Sequence, residues 1–351
     1  MRKTLAGSLA ASVFHLPLLE QGGAVTPFWT TIRYCHDAVH LTTIDLWLDS
    51  QRARDWGFIS HAHSDHIAAH KEAILSSPTA RFLRVRRAAP LDATILPFGE
   101  ARMLHGLSTT LYPSGHILGS AQLLLEHQGE RLLYSGDFKL TTGMAAEPIA
   151  IPTADVLIME TTFGHPRYAF PEPAGVVADM IRWCRECLAK GVTPVLLGYS
   201  LGKGQEVLAA LAGQDFDILL HPALYEMTRI AEECGVRFPP FRCWERGQGA
   251  GCVVLAAPHL SGWIRQHLPP SKFGVVTGWV TDPQAIYRYN ANIGFPLSDH
   301  ADYADLLAYV ERVHPRQIYT VHGYAAEFAG ELRRRGYAAT ALSEEDQLEL
   351  F

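Results

Sequence analysis

The 351-residue sequence predicts an α/β protein. Three observations point to that class. The region after about residue 28 is rich in Thr, Ile, Tyr, Val and Trp, as in strands of a meander. Between about residues 171 and 294, helical segments alternate with short apolar strands. Several apolar runs stop on a His or Asp beside a Gly, which places polar side chains at strand ends. The composition, 48% hydrophobic and 19% charged, supplies material for a sizeable core.

The start, "MRKTLAGSLAASVFHLPLL", has the basic and apolar outline of a signal peptide, but His15 and Pro17 interrupt it. No small-residue cleavage site follows, so a cytoplasmic protein is expected. No stretch is long and apolar enough to span a membrane. "FWTTIRYCHDAVHLTTIDLWLD" then reads as a strand meander, and Trp56-Gly57-Phe58-Ile59 as a buried strand. "HIAAHKEAIL" after it is compatible with a helix, which would put residues 60 to 66 on a strand-to-helix loop. "AQLLLEHQGERLLYSGD" is a hairpin turning at Gln128-Gly129-Glu130, and "ADVLIME" is another buried strand.

From about Pro171 the rhythm changes. "EPAGVVADMIRWCRECLAKG", "KGQEVLAALAG" and "ALYEMTRIAEECG" read as helices. "TPVLLGY", "FDILLH", "GCVVLAAP" and "FGVVTGW" read as short strands of a parallel sheet. "DYADLLAYVERVHP" is a further helix and "QIYTVHG" a further strand, after which a polar-apolar tail ends the chain.

Net charge is −6, so no overall basic character announces nucleic acid. Basic residues cluster locally, with Arg81, Arg84, Arg86 and Arg87 in one run and 333 to 335 in another. Such runs read first as solvated faces and second as a binding track. Cys184 and Cys187 form the lone CxxC, inside a helical segment, and no second pair completes a zinc site. With Cys35, Cys234, Cys243 and Cys252 they read as thiols in a reducing compartment. "GYSLGKGQE" suggests a phosphate loop around Lys203. Leu197 and Gly204 stand where a Walker A loop needs a Gly and a Ser or Thr, which argues against nucleotide binding.

"FISHAHSDHIAAH" is the most informative stretch. It places His61, His63, Asp65, His66 and His70 directly after an apolar strand. Imidazole and carboxylate are the ligands a borderline-soft divalent metal accepts. His61 and His63 are two apart and point the same way if the chain stays extended. Asp65 and His66 turn toward a second point, which hints at two metals. Three other strand ends carry ligand-type residues beside Gly: His116 in "YPSGHILG", Asp137 in "YSGDFK" and His322 in "TVHGY". Each alone reads as an ordinary polar strand end. Together they complete two shells, His61, His63 and His116 for one zinc, and Asp65, His66 and His322 for the other, with Asp137 between them.

His61-Ala-His63-Ser-Asp65-His66, with His116 and Asp137 downstream, resembles the metallo-β-lactamase superfamily. "LIMETTFG" with Glu160, "LSDHADY" with His300 and "TVHGY" with His322 resemble the three motifs of its β-CASP branch of nucleic-acid-processing enzymes. The likeness runs from about residue 35 onward. It is strongest to bacterial DNA-ligase-associated exonucleases and their RNA 3′-end-processing relatives. The resemblance implies an αββα sandwich at 1–170 and 295–351 with an inserted α/β β-CASP cap at 171–294. It implies a nuclease using two Zn²⁺ ions, with Mn²⁺ as an alternative. The substrate would be nucleic acid, DNA by preference and RNA as the second choice, and a DNA ligase or helicase could be a partner. Asp65, His300 and Glu160 would be catalytic: His300 would contact phosphate and protonate the leaving oxygen, and Glu160 would orient it. The family also carries an aspartate that orders the His loop without binding metal. Asp49 fits because "LWLD" puts it at a strand end, and Asp45 stays open.

Overall fold

In the computed structural model, residues 31–86 and 92–342 are described, except Pro269 and Pro283. The N-terminal segment read against a signal peptide and Arg87 of the basic run lie outside the described residues.

The chain opens with β1 (Ile32–Cys35), β2 (Ala38–Leu41) and β3 (Leu46–Leu48), an antiparallel meander. β4 (Trp56–Phe58) and β5 (Glu72–Leu75) follow in parallel. Helix α1 (Ser77–Arg86) then leads to β6 (Ala93–Ile95), which completes a six-stranded sheet in chain order. The helix expected over "HIAAHKEAIL" is corrected here: residues 67–71 have no helix, and 72–75 form β5. Ala73, Ile74 and Leu75 are buried on both faces between β4 and β6. That burial outweighs the helix propensity of Ala, Lys and Glu. The His loop therefore joins two parallel strands, and the helix that follows is α1 at Ser77–Arg86.

The second sheet begins with β7 (Arg102–Leu104), β8 (Leu107–Pro113), β9 (Ala121–His127), β10 (Glu130–Tyr134) and β11 (Val156–Glu160). The β9–β10 hairpin turns where Gln128 and Gly129 both take positive φ, the geometry that matches strand twist. Alternation along these strands builds the sandwich. Leu123, Leu125, Leu132, Tyr134, Val156 and Ile158 meet Leu41, Leu48, Phe58 and Ile74 between the two sheets. Leu124, Leu133, Leu157 and Met159 face the opposite side.

A third, parallel sheet is built from the middle of the chain. Its elements are α2 (Pro173–Ala189), β12 (Thr193–Leu197), α3 (Lys203–Ala210), β13 (Asp217–Leu220), α4 (Pro222–Glu233) and β14 (Arg242–Cys243). β15 (Cys252–Ala256), α5 (Ser261–His267), β16 (Ser271–Val276), α6 (Ala285–Arg288) and β17 (Ile293–Phe295) complete it. The strand order is β14-β13-β15-β12-β16-β17. Cys184 and Cys187 are buried on α2 and unpaired, in keeping with a structural role. This α/β unit is the cap. Met227 and Ile230 of α4 pack with Phe82 and Leu83 of α1 and with Ile59 and Leu75, seating the cap on the first sheet.

The chain then returns to the second sheet through α7 (Tyr303–Val313), β18 (Gln317–Val321), α8 (Ala325–Arg334) and β19 (Ala339–Ala341). The polar-apolar tail forms a helix and an edge strand up to residue 342. Leu306, Tyr309, Val310, Phe328 and Leu332 from α7 and α8 cover the outer face of the second sheet. The result is an αββα sandwich with an added α/β cap.

Candidate metal centre

The loop after β4 carries His61, His63 and His66, and Asp49 ends β3 beside it. Asp49 adopts φ +52, a strained backbone for a non-glycine residue. Its carboxylate is buried and fully used. Oδ1 accepts from the Ser60 backbone N–H at 2.7 Å, and Oδ2 accepts from Ser60 Oγ at 2.7 Å and Tyr134 Oη at 2.9 Å. His66 Nδ1 lies 3.1 Å from the same Oδ2. Asp45 is exposed and bonds His40 Nε2 at 2.8 Å, away from the loop. Gly136 lets the β10 end approach: with φ +52, a Cβ there would stand 2.7 Å from Ser60 Cβ. Asp137 follows immediately.

The hydrogen-bond network sets the imidazole tautomers. Ser60 Oγ gives its proton to Asp49, so His61 Nδ1–H donates to Ser60 Oγ at 2.9 Å, and its Nε2 carries a lone pair. His63 Nε2–H donates to the Leu201 carbonyl at 3.1 Å, which leaves a lone pair on Nδ1. His116 Nδ1–H donates to the Asp299 carbonyl at 2.9 Å, which leaves a lone pair on Nε2. The His63 Nδ1 lone pair lies 2.9 Å from His61 Nε2 and 3.2 Å from His116 Nε2. Three acceptors facing one point repel each other and are reconciled by a cation. Burial, then the neighbouring imidazoles, holds His61 well below the ordinary histidine range. Burial, then His300, brings His116 down to about 3, so both stay neutral ligands near neutral pH.

Asp137 Oδ2 stands 3.4 Å from His66 Nε2, 3.6 Å from His61 Nε2 and 3.8 Å from His116 Nε2. Among the described residues, three groups of ligand atoms fall within 4.8 Å of one another: His61, His63 and His116; His61, His66 and Asp137; and His116, Asp137 and His300. The first matches the expected shell. The second joins Asp137 to both histidine sets. The third brings His300, expected on the substrate side, against the cluster. Asp65 and His322 stand outside these groups. The Asp65 side chain is 68% exposed, with Oδ2 3.8 Å from His66 Nε2. The His322 ring lies 6.1 Å from that of His66, on backbone with φ +60. The donor set fits a metal: the buried imidazoles of His61, His63 and His116, all held below the ordinary histidine range, and the Asp137 carboxylate form a metal-binding site.

His300 Nδ1 lies 3.0 and 3.1 Å from the Glu160 carboxylate oxygens. Glu160 also accepts from Phe138 N at 2.8 Å and is itself buried. Burial opposes charge on His300, but Glu160 more than offsets it and raises His300 to about 10. A cavity of about 820 Å³ opens over the centre, walled by His63, Asp65, His66, Asp137, His300 and His322 from the core and Tyr199, Ser200, His259 and Trp279 from the cap.

Sequence reading missed Asp299 and a buried charge chain behind it. Lys139 Nζ bonds Glu206 Oε1 at 2.6 Å, Lys203 Nζ bonds Glu206 Oε2 at 2.7 Å, and Lys203 lies 3.7 Å from Asp299. Lys203, the residue of the discarded phosphate loop, therefore ties the cap to the segment carrying His300. A Lys and a Glu at helical i,i+3 spacing carried no signal of burial. The basic runs divide. Arg86 bonds the Ala62 carbonyl and lines the cavity, Arg81 bonds the Glu233 carbonyl of the cap, and Arg334 and Arg335 pair with Glu331 on α8.

The fold and the site define an αββα sandwich protein with a capped metal-binding cleft. Residues 290–339 match a family model described as a Zn-dependent metallo-hydrolase RNA specificity domain. A probable DNA ligase of Opitutus terrae is 46% identical over 324 residues, which cover 91% of this chain and 32% of that protein. The 5′ exonuclease Apollo of Gallus gallus is 28% identical over 275 residues, 74% of this chain and 56% of that protein. The RNase aCSPSF2 of Saccharolobus solfataricus is 26% identical over 246 residues, 68% and 48% of the two. The chain thus spans from a third to just over half of the length of these relatives. A crystal structure of a protein of unknown function from Enterococcus faecalis V583 shares the fold, with a TM-score of 0.57 at 14% identity over 84% of this chain and 80% of that one. The chain belongs to the metallo-β-lactamase superfamily, in its β-CASP branch. No described helix is long and apolar enough to cross a membrane.

Proposed function

We propose that the protein is a zinc-dependent nuclease that hydrolyses phosphodiester bonds, acting as an exonuclease on DNA. The observation that carries this reading is the convergence of three imidazole lone pairs and Asp137 beneath the 820 Å³ cleft into which the Glu160-paired His300 opens. His61, His63 and His116 would hold one zinc, and Asp65, His66 and His322 the second, with Asp137 shared. Such a pair supplies an activated water and polarises the phosphoryl oxygens. Asp65, exposed with its Oδ2 3.8 Å from His66 Nε2, would complete the second position.

The remaining work falls to this chain's own side chains. Glu160 keeps the Nδ1 proton on His300, so Nε2 faces the cleft as a donor. There it can contact a phosphate oxygen and protonate the leaving 3′-oxygen. Asp49 fixes the tautomers of His61 and His66 through Ser60 and direct contact, as outer partners of metal ligands do. The cap, taken as residues 171–294, and the core together exclude water from the phosphodiester. The similarity to a much longer probable DNA ligase supports an exonuclease that prepares ends for a ligase.

The test is a product ladder from end-labelled single-stranded DNA and RNA of one sequence, over a salt series. Single-nucleotide steps from one end of DNA support the reading. Faster degradation of RNA at matched salt, or cuts confined to internal positions, assigns the protein to RNA processing or to endonucleases instead.

A further inference from the structure

We propose that the carboxyl edge of the cap sheet is a track for unpaired nucleotides, a row of aromatic and imidazole rings that leads away from the metal cleft. The proposal rests on the hydrolytic reading of that cleft and adds the form of nucleic acid it takes. The cap sheet is wholly parallel, so its carboxyl strand ends lie along one edge, where α/β sheets place their ligand crevice. Five neighbouring strands in the order β14-β13-β15-β12-β16 each deliver a ring just past that edge. These are Trp244, His221, His259, Tyr199 and Trp279. At a spacing of about 4.8 Å between strands, the four intervals extend roughly 19 Å.

The row is continuous with the metal centre. Trp279, Tyr199 and His259 line the cavity that holds His63, Asp137 and His300. Beyond them, the His221 ring lies 6.3 Å from that of Trp244, which is itself buried and backs the row rather than opening onto it. Trp263 of α5 meets Trp244 edge-on at 5.5 Å and is braced by His267, stacked at 4.3 Å. Tyr199 and Trp263 are 52% and 44% exposed, among the few large apolar side chains left in solvent. Trp279 is fixed from behind by Phe163, with ring centroids 4.6 Å apart.

Rings held by neighbours and open on one side are suited to stack on flat π-systems at low entropic cost. Every base offers such a face, but only when it is unpaired and unstacked. A duplex buries those faces and cannot enter the row. The metal ligands recognise only the phosphodiester, so a strand whose scissile phosphate sits over Asp137 must leave the cleft along some wall. The ring row is the wall with base-binding chemistry.

The test is the affinity of a fluorescein-labelled twelve-nucleotide oligothymidylate with phosphorothioate linkages, which resist hydrolysis, measured by anisotropy on zinc-loaded protein. Tyr199→Ala and Trp263→Ala should each weaken binding about 5- to 100-fold, the range for losing one base–aromatic stack. Trp263→Phe, which keeps a ring, should recover most of the affinity and shows that folding is intact. A blunt duplex of the same length should bind more weakly and be indifferent to these substitutions. Affinities of both alanine variants within twofold of wild type, or no binding by wild type, overturn the track. Turnover of the unmodified strand is read in parallel. Binding without cleavage removes the hydrolytic reading and leaves the track, whereas cleavage with unchanged binding in the variants removes the track alone.

Discussion

His300 Nδ1 lies within 3.1 Å of both carboxylate oxygens of Glu160, although 140 residues separate the two in the chain. The parallel pairing of β11 with β18 puts Glu160 at a strand end beside the metal loops, and the segment before α7 brings His300 over it. Glu160 makes His300 a positively charged donor facing the cleft.

Removal of that donor should separate chemistry from metal binding. His300→Ala should retain its zinc and its thermal transition while turnover of single-stranded DNA falls about 10²-fold or more. Glu160→Gln should fall in the same direction by less. Because His300 also approaches His116 and Asp137, metal content is the deciding control. Loss of zinc in His300→Ala would make His300 a ligand and end its role as leaving-group acid.

Among the described residues, Asp137 is the carboxylate whose Oδ2 lies within 3.8 Å of His61, His66 and His116. Asp137→Asn should lower the zinc content of dialysed protein at both positions, read by elemental analysis. Two equivalents retained at wild-type affinity would show that Asp137 is not shared.

Asp49 and Asp45 make opposite predictions. Asp49→Asn removes the charge and replaces the oxygen that faces Ser60 Oγ, Tyr134 and His66 with an NH2 donor, and should cost about 10- to 100-fold in metal affinity, the usual effect of an outer partner. Asp45→Asn should leave zinc binding as it is, since Asp45 is exposed and bonds His40 and Trp47 away from the His loop. A competition assay with a chelating dye reads both, and the reverse ranking would contradict the assignment.

Glu206 bridges two buried lysines, Lys139 from the core and Lys203 from the cap, with Asp299 3.7 Å from Lys203 supplying the second negative charge. Glu206→Gln leaves uncompensated buried charge and should destabilise the protein by about 3–5 kcal/mol. Burial alone would raise the Glu206 carboxyl, but Lys203 and then Lys139 more than offset it and hold it below the ordinary value of 4.5. A depressed carboxyl contributes stability above its unfolded pKa and loses it as pH falls through the folded value. Wild type should therefore lose stability below pH 4.5, and Glu206→Gln should show a flatter acid limb in denaturant melts. Identical acid limbs would remove Glu206 from the account.

Much of this was legible in the chain because periodicity and ligand spacing are local properties. The β9–β10 hairpin, the alternating cap and the His61 cluster all follow from nearest-neighbour chemistry. What was not legible depends on distant partners. Residues 72–75 became a strand because β4 and β6 flank them, which their helix-compatible composition does not reveal. Nothing in the spacing of Lys203 and Glu206 marks them for burial, which the arrival of Lys139 and Asp299 explains. Asp299 sat inside a motif that had already been read for His300, and its carbonyl proves to orient His116.

The central claim is that neutral imidazoles and Asp137 hold the metal on which phosphodiester cleavage depends. Its most direct measurement is a zinc titration into chelator-stripped protein, with cleavage of end-labelled single-stranded DNA followed at each addition. Turnover should be absent at first, rise with added zinc and saturate at two equivalents per chain. Equal turnover by the stripped protein, or full zinc loading with no cleavage, would contradict it.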